Sequence, residues 1–266
     1  MNNNVKDKIF NGEPVLGCFM GFYAPAIVEM MGYAGFDFIV IDNEHGWFNP
    51  AEMENMIRAA EVSGIAPIVR VDYDNSSIQK VLDRGALGIQ VPMVNNKEDA
   101  ERVVRRAKFP PTGQRGTAYS TRAARYGKDG GKTYLDSADD NILIAVHIET
   151  PEAVKNFEEI MSVQGIDVAF IGPLDLAINM GYKDEGPKHP EVQRVINNLY
   201  ERAHKKGIKI GTLASTQSAI PQVLNKGANY VVTVITALLT EAFKMNVDAI
   251  KDINKLSRGE NTSQDD

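Results

Sequence analysis

The 266 residues are 43% hydrophobic and 24% charged, a composition that supplies one large folded core and excludes long disorder. A formal net charge of −6 argues against a nucleic-acid partner. Met1 to Lys8 is polar, no apolar run approaches the roughly 18 residues of a membrane span, and Cys18 is the only cysteine, so neither signal, membrane anchor, disulfide nor thiolate zinc cluster is expected and a cytoplasmic setting fits.

The first apolar run, Val15 to Met20, reads as a strand, and Ala26 to Met31 as a short helix behind it. A unit then recurs: helical periodicity, a glycine, a short apolar run. Gly35 introduces FDFIVID, Gly64 IAPIVRV, Gly85 ALGIQVP, Gly165 IDVAFIG, Gly207 IKIGTLA and Gly227 ANYVVTV. Glycine just past a helix end takes the left-handed conformation that turns the chain back toward a sheet, so each marks the return of a βα unit. Ile142 to Ile148, without a leading glycine, completes eight strands. Further helical stretches are Ala51 to Val62, Ile78 to Arg84, Lys97 to Ala107, Glu152 to Met161, Glu191 to Lys206, Gln217 to Asn225 and Leu238 to Leu256. The alternation predicts a (β/α)8 TIM barrel forming a single domain over residues 1–256, with a doubly wound open sheet as the alternative. No GxGxxG or GxxxxGK follows a strand, so no organic cofactor is expected. The long break from Phe109 to Asn141, rich in Pro, Gly, Arg and Tyr, reads as an active-site lid, and the polar tail 257–266 as disordered.

A barrel gathers its strand ends on one face, which makes them a list of candidate site residues. The second strand ends in Asp42, Asn43, Glu44 and His45. Asp42 and His45 are close enough in sequence for the carboxylate to orient one ring nitrogen while the other faces a substrate; a capped turn with a solvated His45 is the competing reading. The third strand ends at Arg70, which needs an anion: Asp42 or Glu44 as a structural partner, or a substrate carboxylate and oxyanion. His147 and Glu149 close the fifth strand, and Gly172, Pro173, Leu174 and Asp175 follow the sixth. Glu149 and Asp175 suit a hard divalent cation whose other positions go to water and substrate, or else they cap helices. By alternation His147 shares a face with Glu149, as third ligand, site wall or satisfied core histidine. Trp47 and Phe48, on a loop beyond His45, read as substrate wall or core.

The segments GFDFIVIDNEHG, APIVRV, GIQVPMVNNKEDAERVVRRAKFPPTGQRG, HIETPEAVKNFEEI and GIDVAFIGPLDLAINMGY together resemble the HpcH/HpaI aldolase family of class II pyruvate aldolases, from about Leu16 to Phe243. The resemblance implies a TIM barrel, a homohexamer arranged as a trimer of dimers with an exchanged carboxyl-terminal helix, and a divalent metal (Mg2+, Mn2+ or Co2+). It makes Glu149 and Asp175 the metal ligands, His45 the acid/base with Asp42 as its partner, and Arg70 the group that holds pyruvate and steadies its enolate. Asp83 matches a carboxylate that raises the histidine's basicity, across a subunit contact. Gly172 to Asp175 match the segment that receives the substrate carboxylate.

The implied reaction splits a 4-hydroxy-2-oxo acid into pyruvate and an aldehyde. No strand ends in a lysine suited to a Schiff base. Oxaloacetate decarboxylation or another enolate lyase reaction on the same site, or a non-catalytic barrel, are the alternatives; retention of His45, Arg70, Glu149 and Asp175 argues against the last. Four departures concern the lining. His147 stands where the family usually has Gln, a residue expected to touch substrate. Leu174 replaces Ala or Ser, and Trp47 and Phe48 replace smaller or polar residues. Val234 to Thr236 lacks the Gly and Asp common after the last strand. Trp47, Phe48 and Leu174 are expected to favour apolar aldehydes over hydroxylated ones.

Overall fold

The computed structural model describes residues 3–74 and 76–257. Eight parallel strands, β1 (Val15–Met20), β2 (Phe38–Asp42), β3 (Ala66–Arg70), β4 (Gly88–Val91), β5 (Leu143–Ile148), β6 (Val168–Ile171), β7 (Lys209–Leu213) and β8 (Ala228–Val234), pair in chain order. Pairing of β8 with β1, Val15 opposite Tyr230 and Phe19 opposite Val234, closes the barrel and removes every sheet edge. The helices are α1 (Asn4–Phe10), α2 (Pro25–Tyr33), α3 (Pro50–Ser63), α4 (Ser77–Asp83), α5 (Lys97–Ala107), α6 (Gly131–Asn141), α7 (Pro151–Lys155), α8 (Phe157–Met161), α9 (Pro173–Asn179), α10 (Pro190–Lys206), α11 (Ala219–Asn225) and α12 (Ile235–Ser257).

Local chemistry explains where these elements start and stop. Asn49 accepts from the backbone N–H of Ala51 and Glu52 while Glu52 accepts from that of Asn49, a reciprocal cap that begins α3 behind Pro50. Gly64 ends the same helix at φ 80°, where a side chain would be strained. The stretch expected as one helix from Glu152 to Met161 is instead α7 and α8, broken at Asn156.

Strand alternation sorts side chains into two cores. Ile39, Ile41, Val69, Ile144 and Val146 face the surrounding helices, while Phe38, Val40, Ile68, Leu143, Ala145, Val168, Phe170 and Tyr230 fill the barrel interior. The Phe38 and Tyr230 rings stack at 4.3 Å between centroids. Glycine makes room for them: a Cβ on Gly17 would come within 2.1 Å of the Phe38 ring, and one on Gly211 within 2.9 Å of both Phe170 and Tyr230. Two residues further along their strands, the inward positions turn polar, with Asp42, Gln90 and His147 buried and Arg70 nearly so. The apolar layer is thus the floor of a charged layer at the strand ends.

At the opposite end of the barrel one element was not foreseen and one expectation fails. The polar start of the chain contains α1, whose Val5 and Ile9 insert into the interior core because they lie four residues apart on one helical face. Asn3 caps this helix and donates to the carbonyls of Leu87 at 2.7 Å and Asn141 at 2.9 Å. The segment from Phe109 to Asn141, expected as an active-site lid, packs on this same end and contains α6. Arg122 pairs with Glu61 and donates to the carbonyl of Arg84, and Ala123 N–H donates to the carbonyl of Asp83. Glu61, Asp83 and Arg84 all sit where a helix ends and the chain re-enters the sheet, so the segment lies away from the strand termini. It borders a cavity of about 500 Å3 lined by Arg115, Arg122, Tyr126 and Tyr134. Of the tail expected to be disordered, 258–266 lies outside the described residues.

Candidate active site

Asp42 and Arg70 end neighbouring strands in register, and the next strand places Gln90 beside Arg70. That row turns alternation into contact. Arg70 forks onto Asp42, Nε to Oδ1 at 2.8 Å and Nη2 to Oδ2 at 2.6 Å, while its Nη1 reaches Glu44 Oε2 at 3.0 Å. The guanidinium also lies 4.6 Å from the Phe19 ring centre. Both structural partners foreseen for Arg70 are therefore engaged. Each terminal nitrogen still carries a second N–H, since a guanidinium has five donors and three serve these carboxylates. Burial opposes the Asp42 charge, but Arg70 and the backbone N–H groups of His45 and Glu44 outweigh it and hold the carboxyl below its usual range.

His45 is arranged differently from the expectation. Asp42 accepts from the His45 backbone N–H at 3.2 Å, whereas the carboxylate beside the ring is Glu44, with Oε2 3.7 Å from Nε2. The imidazole itself is 66% exposed at the barrel mouth. Gly46 permits the tight return, because a Cβ there would lie 2.2 Å from the Asp42 carbonyl oxygen. Tyr73, which sequence reasoning passed over, donates its hydroxyl to Glu44 at 2.7 Å. Burial and then this carboxylate push its pKa upward, with smaller contributions from Glu149 and Asp175. Its only signal in the sequence is its place just past Arg70.

Glu149 is buried just past the end of β5. Its Oε1 accepts from the Met93 backbone N–H at 2.8 Å and its Oε2 from His147 Nδ1 at 3.0 Å. Burial would raise its pKa, but His147, Met93 and Arg70 together hold it low, so a charged carboxylate sits in the barrel. Gly172 keeps the space beside it open, since a Cβ would approach Oε2 to 2.7 Å. Asp175 projects from the first turn of α9, exposed, with no hydrogen bond or ion pair among the described residues. β5 and β6 are neighbours, so Glu149 just past the one and Asp175 in the helix that follows the other stand at adjacent strand ends on the same rim. No group of three or more His, Cys, Asp or Glu side chains among the described residues could hold a metal. Two oxygen donors beside an open space fit a hard cation that retains water and takes further ligands from substrate, and do not fit an all-protein cage.

The remaining predicted residues fall in three places. His147 is buried behind Glu149, its Nε2 3.0 Å from Gln90 Oε1, so both ring nitrogens are occupied by protein. Pro173 and Leu174 open α9 at the mouth, Leu174 exposed, and Trp47 stands 92% exposed while Phe48 packs on the outer core. Asp83 closes α4 at the far end of the barrel, paired with Arg115 at 2.7 Å, and does not meet His45 within one chain.

A buried guanidinium, two carboxylates and an exposed imidazole around one opening suit a small anionic ligand that gains or loses a proton. Residues 16–238 match the HpcH/HpaI aldolase/citrate lyase family. The chain is 35% identical over 265 residues to a 4-hydroxy-2-oxo-heptane-1,7-dioate aldolase of Klebsiella pneumoniae, covering 96% of this chain and 99% of that one. It is 33% identical over 260 residues to a 2-keto-3-deoxy-L-rhamnonate aldolase of Salmonella paratyphi B, covering 97% and 96%. Among solved structures it resembles the citrate synthase SbnG, with a TM-score of 0.82 and 27% identity over 94% of this chain and 98% of that one.

Proposed function

Because the chain belongs to the HpcH/HpaI aldolase/citrate lyase family, we propose that it is a divalent-metal-dependent lyase that reversibly splits a 4-hydroxy-2-oxo acid into pyruvate and an aldehyde. The observation that carries this reading is the charged layer at the strand ends, where Arg70 stands in register between Asp42 and Gln90, Glu149 is buried just past β5, Asp175 opens α9 after β6, and His45 lies beside Glu44. Glu149 and Asp175 would hold the cation, Mg2+, Mn2+ or Co2+, which supplies Lewis acidity to a 2-oxo group. The second N–H groups of Arg70 donate to the carboxylate and to the oxygen that becomes negative in the enolate, in a site already desolvated by Phe19 and the barrel core. His45, exposed beside Glu44, gives and takes the proton at Nε2. The backbone from Gly172 to Asp175, opening α9, receives the substrate carboxylate. Trp47 and Leu174, apolar and exposed at the rim, form a wall that favours apolar aldehydes over hydroxylated ones.

The enzyme is proposed to act as a homohexamer, a trimer of dimers exchanging α12, in which a neighbouring chain brings Asp83 toward His45. Support comes from the exposed Phe243, Met245, Val247 and Ile250 on α12. No helix among the described residues is long and apolar enough to cross a membrane. A cytoplasmic setting is supported by the single, buried Cys18.

Deuterium exchange at the methyl group of pyruvate, followed by NMR, tests enolate formation directly. Exchange is expected with Mg2+ or Mn2+ and not with chelator; no exchange at saturating metal sinks the proposal. The likeness to SbnG supports a second reading in which the same enolate serves another carbon–carbon reaction. Comparing aldol cleavage with oxaloacetate decarboxylation separates the two.

A further inference from the structure

Behind Glu149 runs a chain of buried hydrogen bonds with no outlet to solvent. Tyr230 OH lies 2.9 Å from Gln90 Nε2, Gln90 Oε1 3.0 Å from His147 Nε2, and His147 Nδ1 3.0 Å from Glu149 Oε2. Tyr230 and Gln90 are fully buried, and His147 is 1% exposed. The imidazole is also held in its plane, stacked on Phe170 at 4.8 Å, and Phe170 is held edge-on by Phe19 and Tyr230. Such a ring has one rotamer. Gln90 lies between the tyrosine hydroxyl and His147 Nε2, and Nδ1–H donates to Glu149, so the ring is held at both nitrogens.

We propose that His147 is a positioning residue: it fixes the Glu149 carboxylate so that its remaining lone pairs face the barrel mouth, and thereby sets the protein's affinity for a divalent cation. The inference rests on the reading of Glu149 as a metal ligand. The physical reason is geometric. A glutamate has three side-chain torsions, and a ligand that must be ordered on binding costs affinity that a preordered one does not. Met93 N–H secures Oε1 and His147 secures Oε2, leaving one free lone pair on each oxygen. Partners of metal-ligating side chains in this position typically alter affinity about 10- to 100-fold.

The test is Mn2+ affinity of the full-length protein without substrate, by titration calorimetry or by the loss of the free-ion EPR signal, with melting temperature alongside. His147→Phe keeps the stack on Phe170 and removes both hydrogen bonds; it is expected to weaken Mn2+ binding about tenfold or more. His147→Gln retains an N–H for Oε2 and is expected to restore most of the affinity. Gln90→Leu, which touches only the far side of the ring, is expected to weaken binding in the same direction by less, and serves as the readout if His147→Phe does not fold. If Glu149→Gln weakens Mn2+ binding while His147→Phe and Gln90→Leu leave it unchanged, the clamp is overturned and His147 only fills the core. If His147→Gln is as weak as His147→Phe, the oriented hydrogen bond is not the cause. Should Glu149→Gln itself leave the affinity unchanged, the ligand reading fails first and the clamp with it.

Discussion

Replacing Arg70 by lysine would leave one positive charge between Asp42 and Glu44 but remove the planar fork that now reaches both oxygens of Asp42. An ammonium cannot hold those two carboxylates and also offer N–H groups in the plane of an enolate. We expect Arg70→Lys to lower kcat about 100-fold or more, the usual cost of losing an oxyanion donor, while the protein still melts cooperatively. Steady-state kinetics beside a melting curve decides it, and near-normal turnover would reduce Arg70 to an internal ion-pair partner. At this scale the identity of the strand-end groups is legible in the sequence and their pairing is not. Asp42 and His45 looked like an oriented pair because they are three residues apart. The fold spends Asp42 on Arg70 and on backbone N–H groups, and leaves Glu44 beside the ring.

Among the elements, α1 is the least expected and the easiest to isolate experimentally. Its amphipathic character rests on two residues, Val5 and Ile9, too few to stand out in a polar stretch. Asn3 fixes it by capping the helix and bridging to Leu87 and Asn141. Asn3→Ala should cost about 1–2 kcal/mol, from the lost cap and the lost side-chain bonds to the Leu87 and Asn141 carbonyls, the first of which still accepts from the Leu143 N–H. Because Asn3 bonds to Leu87 and Asn141 and to neither the strand-end groups nor Asp83, kcat/KM measured well below the melting temperature should not change. A parallel fall in melting temperature and catalytic efficiency would show that the two ends are coupled. The segment from Phe109 to Asn141 lies between α5 and β5, and that order decides its place. A connection that follows a helix and precedes a strand returns to the end where strands begin, whatever its composition.

Taken whole, the molecule carries an apolar stripe that its own fold does not cover. Phe243, Val247 and Ile250 recur at helical spacing along α12 and all are exposed. Exchange of α12 between chains is expected to bury them, so Phe243→Glu together with Ile250→Glu should shift the mass seen by light scattering to a smaller species. An unchanged mass would assign the stripe another use. Loss of activity on dissociation, with Mn2+ binding retained, is the outcome expected if Asp83 serves a neighbour's His45.

What the sequence determined by itself is the alternation of eight strands with helices and the polar groups at the strand ends, while closure came from the pairing of β8 with β1. Glycine-led returns mark six of the eight strands and their direction, strand ends single out Asp42 and Arg70, and a side-chain period of two puts His147 and Glu149 on one face. Those rules are local, acting over a few residues along the chain. Hydrogen bonds between strands are not local. They require heavy atoms within about 3 Å, and that depends on register between segments far apart in sequence. Pairing of Asp42 with Arg70 and of Arg70 with Gln90 puts one row of groups across three strands. Only that registration decided that Arg70 forks onto Asp42, and that His147, open in the sequence as ligand, wall or core, is held between Gln90 and Glu149.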